Sequence, residues 1–186
     1  MKRTLALFAV LAAAAATPAA AQLGGRFSVQ PYAGYGFFGT LPEGGPRLKE
    51  SVAYGGRAAY QLSDQFALIG NFQRSQSSVE GIASDREAAV DHWSAGVEFS
   101  YVPRGGAEGM LPVLLEAGLG QVRYGFEEVF GTENDSDLAA NIGVGSALQL
   151  SRNFAIRYGA NDYISNYADQ GVVNQIFVNV GAEFTF

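Results

Sequence analysis

The sequence lacks cysteine, and after its first twenty-one residues it has no apolar run long enough for a membrane helix. Without disulfides, stability must come from packing, hydrogen bonding or the membrane. A chain with no helical span can cross a bilayer only with strands, because a closed set of strands also satisfies every backbone polar group. Basic residues are also few, and the net charge of -6 makes a nucleic-acid-binding role a poor fit.

The first twenty-one residues have the composition of a secretory signal peptide. Lys2 and Arg3 precede an apolar run over 5–16, and the small residues 17–21 end in an Ala-x-Ala site. The apolar run is shorter than the roughly 20 residues of a membrane helix. The sequence therefore predicts a signal peptide over 1–21 and one domain over 22–186, whose net charge is -8 once Lys2 and Arg3 are removed.

Apolar residues alternate along the mature chain with a period of two, which indicates β-strands. The final segment is the most regular, with Ile176, Val178, Val180, Ala182, Phe184 and Phe186 on one face. The same alternation predicts eight strands, at residues 27–37, 51–62, 66–75, 90–101, 112–126, 137–150, 154–161 and 174–186. In the fifth strand the apolar parity changes to Val122 and Tyr124, and this predicts a β-bulge near Gly120.

The connections alternate in length. Long polar segments follow the first, third, fifth and seventh strands, and tight turns follow the second and sixth. Strands of about 9 to 11 residues can cross a bilayer when tilted. An even number of strands with alternating loop lengths is typical of an antiparallel up-and-down transmembrane barrel, and this is the predicted fold.

The apolar face is predicted to point toward lipid. An interior enclosed by eight strands is just wide enough for side chains, and the second face is rich in small and polar residues. That face also carries five charged residues, and buried ions need partners. We expect Arg57 and Arg157 to pair inside the barrel with the carboxylates Glu98, Glu116 and Glu183.

The leader, the eight strands, the loop alternation and the terminal Phe together resemble the OmpA/OmpX-type small eight-stranded outer-membrane β-barrel family. The resemblance implies a bacterial outer-membrane location and contacts with lipopolysaccharide and other outer-membrane lipids. It also implies assembly by the barrel-assembly machinery and periplasmic chaperones, which read a C-terminal signal of Val178, Val180, Ala182, Phe184 and Phe186. Members of the family contribute to envelope integrity or adhesion. Two departures from the family are expected, namely the long connection over 102–111 and the absence of a peptidoglycan-binding domain after the last strand.

Three other functions fit parts of the pattern. The barrel could be a narrow porin-like channel, or the chain could be an exported, soluble, lipocalin-like binder whose apolar face points inward. The third is a lipid A-modifying enzyme, because His92, Ser94 and Glu98 resemble the His-x-Ser motif of lipid A deacylases. However, His92 and Glu98 are about 20 Å apart along a strand, too far for a catalytic pair. No catalytic, cofactor or metal site is therefore predicted.

Thirteen of the 18 acidic residues fall in the segments expected at the outer surface. Within them, the residues 133–137 could offer oxygen ligands to divalent cations that bridge to lipopolysaccharide phosphates. The segment lacks the glycine and the closing glutamate of a dedicated calcium loop, so a solvated acidic loop is the preferred interpretation. The glycine-rich tracts precede no helix, which argues against a phosphate-binding loop.

Overall fold

The computed structural model describes residues 26–39, 47–80, 87–102, 111–126, 135–167 and 171–186. The predicted signal peptide lies outside the described residues. The described chain forms nine strands: β1 Phe27–Phe38, β2 Arg47–Leu48, β3 Ser51–Gln61, β4 Phe66–Glu80, β5 Glu87–Tyr101, β6 Val113–Phe126, β7 Asp135–Ser151, β8 Phe154–Tyr167 and β9 Gly171–Thr185. None of the described elements is a helix that is long and apolar enough to cross a membrane.

Eight of these strands close into an antiparallel barrel, as the alternation predicts. Each pairs with its neighbour in the chain, and β1 pairs with both β3 and β9. The two-residue β2 is an outward continuation of β3 along β4. Leu48 faces Val79 whereas Ala53 faces Ser75, so the pairing shifts by one residue between Lys49 and Ala53.

The large apolar side chains point away from the barrel axis. Trp93 is 52% exposed and Val180 is 54% exposed on the outer wall, and Phe99 lies beside Phe66 on the same wall with ring centroids 5.2 Å apart. The opposite face of each strand lines the interior and carries both polar residues, such as Arg57 and Gln175, and apolar ones, such as Val90 and Phe177. This orientation agrees with a lipid-facing exterior and contradicts the inward-facing apolar surface of a lipocalin-like binder.

Several strands extend further outward than the alternation predicts. β4 runs to Glu80 and β5 starts at Glu87, so most of the predicted loop over 76–89 is paired strand. β8 and β9 likewise leave only 168–170 between them, where a loop over 165–173 is predicted. In these extensions the buried inner face carries mostly small residues such as Ser77, Ala88 and Ser165, so the apolar alternation ends although the backbone ladder continues.

Pro31 lies inside β1 and weakens its ladder locally. The pairing of β1 with β9 is recorded at Val29 and resumes at Tyr32, which leaves a gap at Gln30 and Pro31. Proline has no N–H to donate, which accounts for an interruption at this point.

The predicted bulge near Gly120 is wrong. β6 keeps one register with β5 from Val113 to Phe126, and it also keeps one register with β7 through Gly120. The parity is therefore unchanged, so Val122 points into the barrel and Gln121 and Arg123 lie on the outer wall. A register shift is found instead at the end of β7, between Gln149 and Ser151.

Candidate functional site

The barrel interior contains two layers of side chains, and the lower one is an ionic cluster. It consists of the five charged residues singled out in the sequence, which come from β3, β5, β6, β8 and β9 and all face inward. Arg57 Nη2 lies 2.6 Å from Glu98 Oε2, and its Nε lies 3.2 Å from Glu116 Oε1. Arg57 Nη1 reaches Glu183 Oε1 at 4.0 Å.

Arg157 enters the same cluster from the opposite side of the barrel. It donates two hydrogen bonds to Glu98, one of them at 3.4 Å from Nη1 to Oε1. It also lies 3.6 Å from Glu116 Oε1 and 3.4 Å from Glu183 Oε2. Both arginines contact all three carboxylates, and Glu98 lies between the two guanidinium groups.

Neutral side chains complete the hydrogen bonding around the ionic cluster. Ser28 Oγ donates to Glu183 Oε1 at 2.8 Å, and Asn161 Nδ2 donates to Glu116 Oε2 at 3.1 Å. Asn179 Nδ2 in turn donates to Asn161 Oδ1 at 2.9 Å. The carboxylates therefore keep hydrogen-bond partners although they are removed from water, as buried charges require.

The second layer, the apolar plug, lies nearer the outer end of the barrel. Val122, Tyr163 and Phe177 each lie six residues further outward along their strands than a residue of the ionic cluster. The members of the apolar plug are Leu48, Ala53, Ala88, Val90, Val122, Tyr124, Ala139, Tyr163 and Phe177. His92 is fully buried among them, with its ring 4.5 Å from Tyr163 and 4.9 Å from Phe177 between centroids.

A short chain of hydrogen bonds crosses the apolar plug. His92 Nε2 lies 2.6 Å from Gln175 Oε1, and Gln175 Nε2 donates to the hydroxyl of Tyr124. Bulky rings therefore fill the interior at this level, where the sequence predicts mainly small and polar residues. In the sequence, the strand alternation puts Phe177 on the same face as Glu183 and Tyr163 on the same face as Arg157. This shared face is the sequence feature that identifies the two rings as inward-facing.

Glycine makes room for these rings. A methyl group added at Gly36 would collide with Cε1 of Phe177 and come within 2.8 Å of its Cδ1. Gly55 stands in the same relation to Tyr32, whose hydroxyl would lie 2.8 Å from an added methyl. The inner face thus pairs a residue without a side chain on one strand with a large ring on another.

Between the two layers lies a small polar cavity. About 30 Å³ of it is open to the centres of water molecules, and its lining includes Tyr32, Arg57, Glu116, Asn161 and Asn179. A water needs roughly 10–15 Å³ by this measure, so the cavity has room for about two waters. It is too small for an organic substrate.

The residues considered for catalysis do not form a triad. Glu98 is engaged by the two arginines, His92 Nε2 is paired with Gln175, and Ser94 Oγ is 3.5 Å from the amides of Asn71 and Asn141. All three lie inside the barrel rather than on the lipid-facing wall. Within the described ranges no group of three or more acidic or histidine side chains could hold a metal ion. Residues 133 and 134 of the candidate segment 133–137 lie outside those ranges.

The residues of the predicted assembly signal lie on β9 and just beyond it. Val178, Val180 and Phe184 are exposed on the outer wall, and Ala182 and Phe186 are half-buried. The N–H of Phe186 donates to the carbonyl of Phe27 at 2.8 Å, which ties this end of the chain to β1.

A closed, antiparallel, eight-stranded barrel with an apolar exterior and a charged interior defines a small integral outer-membrane barrel. The chain matches the outer membrane protein beta-barrel domain family over residues 6–186, and it belongs to that family. The protein is therefore located in the bacterial outer membrane.

Solved structures share the fold at low sequence identity. Neisserial surface protein A superposes with a TM-score of 0.65 and 14% identity, covering 86% of this chain and 97% of that one. The N-terminal barrel of OprF from Pseudomonas aeruginosa gives 0.55 and 16%, with coverage of 86% and 97%. These relatives are outer-membrane barrel proteins. No curated protein matches the chain in sequence.

Proposed function

We propose that this protein is a non-enzymatic barrel that spans the outer membrane and displays four acidic connections at the cell surface. The observation that carries the proposal is the closure of the interior at two levels. The ionic cluster and the apolar plug leave a cavity of about 30 Å³ between them, which is not a solute pathway. The described residues also present no nucleophile with an oriented base.

The display role follows from where charge is placed. Thirteen of the 18 acidic residues lie in the connections after β1, β4, β6 and β8 or in the outward ends of the adjoining strands. A rigid barrel with a filled interior is a scaffold on which such segments can vary. In this proposal they support envelope integrity or adhesion. Delivery to the membrane uses the barrel-assembly machinery and chaperones, and divalent cations are candidate partners of the acidic segments.

Single-channel recording in planar bilayers tests the closed-barrel proposal. We expect the purified, folded protein to give no stable openings that pass organic solutes, because both layers block the interior. Heat-modifiable gel migration of the same sample shows that the barrel is folded. Long-lived, solute-permeable openings from folded protein would instead favour the porin-like alternative.

A further inference from the structure

The outer wall carries one row of charged residues that the interior does not explain. The strand registers place Arg74 of β4 opposite Asp91 of β5, Asp91 opposite Arg123 of β6, and Arg123 opposite Ser136 of β7. All of these side chains are on the outward parity of their strands. Two guanidinium groups and one carboxylate give the row a formal charge of +1.

The charged side chains of this row only partly neutralise one another. Arg74 Nε lies 3.4 Å from Asp91 Oδ1, and the Arg74 side chain keeps 38% of its surface exposed. Arg123 is exposed and makes no hydrogen bond to any residue that the structure describes. Its nearest charged neighbour in the register is Asp91, which is already paired with Arg74. Among the described residues, the row therefore has one guanidinium group more than it has carboxylates, since Asp91 interacts with both arginines.

The height of this row above Tyr101 places it at the outer surface of the bilayer. Asp91 is ten residues above Tyr101 along β5, or about 33 Å at about 3.3 Å per residue. A strand tilt of about 40° reduces this to about 25 Å of height, the thickness of the apolar band of such barrels. The headgroups of outer-leaflet lipids lie at this level.

The wall directly below the row is suited to the rest of a lipid. Phe72, Trp93, Gln121 and Leu138 are aligned in the next outward row of the same strands. The Phe72 and Trp93 ring centroids lie 4.2 Å apart with their planes inclined by 41°, and the two rings form a continuous apolar surface. Gln121 interrupts this surface with a polar group within one residue pair of Arg123.

We propose that Arg74 and Arg123 bind the phosphate of an outer-leaflet lipid, with Gln121 donating to its headgroup and an acyl chain lying across Phe72 and Trp93. Arginine is suited to this because its planar fork matches a phosphate. The acidic outer segments repel free anions from solution. A lipid phosphate, in contrast, approaches within the membrane plane, so charge complementarity favours a lipid as the occupant.

Native mass spectrometry of the folded protein in detergent tests the proposal, with phosphatidic acid as the probe and phosphatidylcholine of the same chains as the control lipid. We expect preferential retention of phosphatidic acid. Each arginine near an anionic surface contributes about 1 kcal/mol, which is about fivefold in affinity. Arg74→Gln and Arg123→Gln should each weaken retention about fivefold, and the double variant about 25-fold.

Arg152→Gln is the matched control, because Arg152 is an exposed arginine in the turn at the opposite end of the barrel. Its retention of phosphatidic acid should equal that of the unmodified protein. Equal retention by the double variant, equal binding of phosphatidylcholine, or displacement of the lipid by inorganic phosphate at matched concentration would each overturn the proposal. Any of these results leaves the closed-barrel proposal, which is tested by conductance, unaffected.

Discussion

At the residue scale, Glu98 is the central acceptor of the ionic cluster. It is 6% exposed and accepts from both Arg57 and Arg157, whereas Glu183 makes longer contacts of 3.4 Å and 4.0 Å with the same two arginines. Glu98→Gln removes the closest charge-assisted contacts of both buried arginines, although Glu116 and Glu183 still balance their charge. We expect Glu98→Gln to lower the free energy of unfolding by about 3 kcal/mol, measured by urea titration of the barrel in detergent micelles.

Glu183→Gln makes the same chemical change at the edge of the same cluster. Ser28 can still donate to the amide oxygen at this position, and Glu98 and Glu116 remain to neutralise the arginines. The expected loss is about 1 kcal/mol, close to that of one ordinary hydrogen bond. Equal losses for the two variants would show that Glu98 has no special place in the cluster.

The sequence predicts the residues of the ionic cluster but not those of the apolar plug. A charged residue on the inward face of a strand needs a partner of opposite charge. Arg57 and the glutamates can therefore be identified from the strand alternation alone. Phe177 and Gly36 cannot, because nothing local indicates that the β1 to β9 pairing places that glycine opposite that ring. A packing contact between strands so far apart in the chain depends on the closed register.

At the element scale, β6 shows how an alternation can mislead. Val122 and Tyr124 continue an apolar series that starts with outward residues, so a parity change and a bulge near Gly120 are the natural prediction. The register shows no such change, and the apolar residues beyond Gly120 serve the plug instead. Period-two patterns report which residues share a face, but they do not distinguish a lipid-facing surface from an apolar interior.

Single-cysteine labelling of β6 checks this assignment, because the chain has no cysteine of its own. Leu119 is 64% exposed, Gln121 is on the same outward face, and Val122 is fully buried. We expect Leu119→Cys and Gln121→Cys to react with a small apolar maleimide in the folded barrel, and Val122→Cys to stay protected. All three should react alike in urea. A bulge at Gly120 would reverse the order of Gln121→Cys and Val122→Cys.

At the scale of the whole molecule, the pattern of the chain predicts the class of fold well because the membrane restricts the options so strongly. Strand number, outward face and alternating connections all follow from a chain that must pair every backbone group in lipid. Two features do not follow from this requirement: the length of the strands beyond the bilayer, and the filling of the outer half of the interior. The first depends on the outward pairing of β4 with β5 and of β8 with β9, and the second on plug side chains from β2, β3 and β5 to β9, none of which a membrane constraint determines.

The two layers lie in series along the barrel axis, and this gives the molecule a property that neither layer has alone. An ion crossing the barrel must pass both, so opening one should leave conductance close to that of the unmodified protein. The paired change Glu98→Ala with Arg157→Ala opens the ionic cluster without adding net charge. Phe177→Ala with Tyr163→Ala opens the apolar plug, and the four changes together are expected to raise single-channel conductance several-fold.

Planar-bilayer recording of the three variants beside the unmodified protein measures this, with heat-modifiable migration confirming that each is folded. If the ionic variant alone conducts as well as the combined one, the apolar plug is permeable and the ionic cluster is the sole barrier. If the plug variant alone does so, the reverse holds. Low conductance in both, with an increase only when they are combined, is the result that two independent closures require, since either remaining layer still blocks the path.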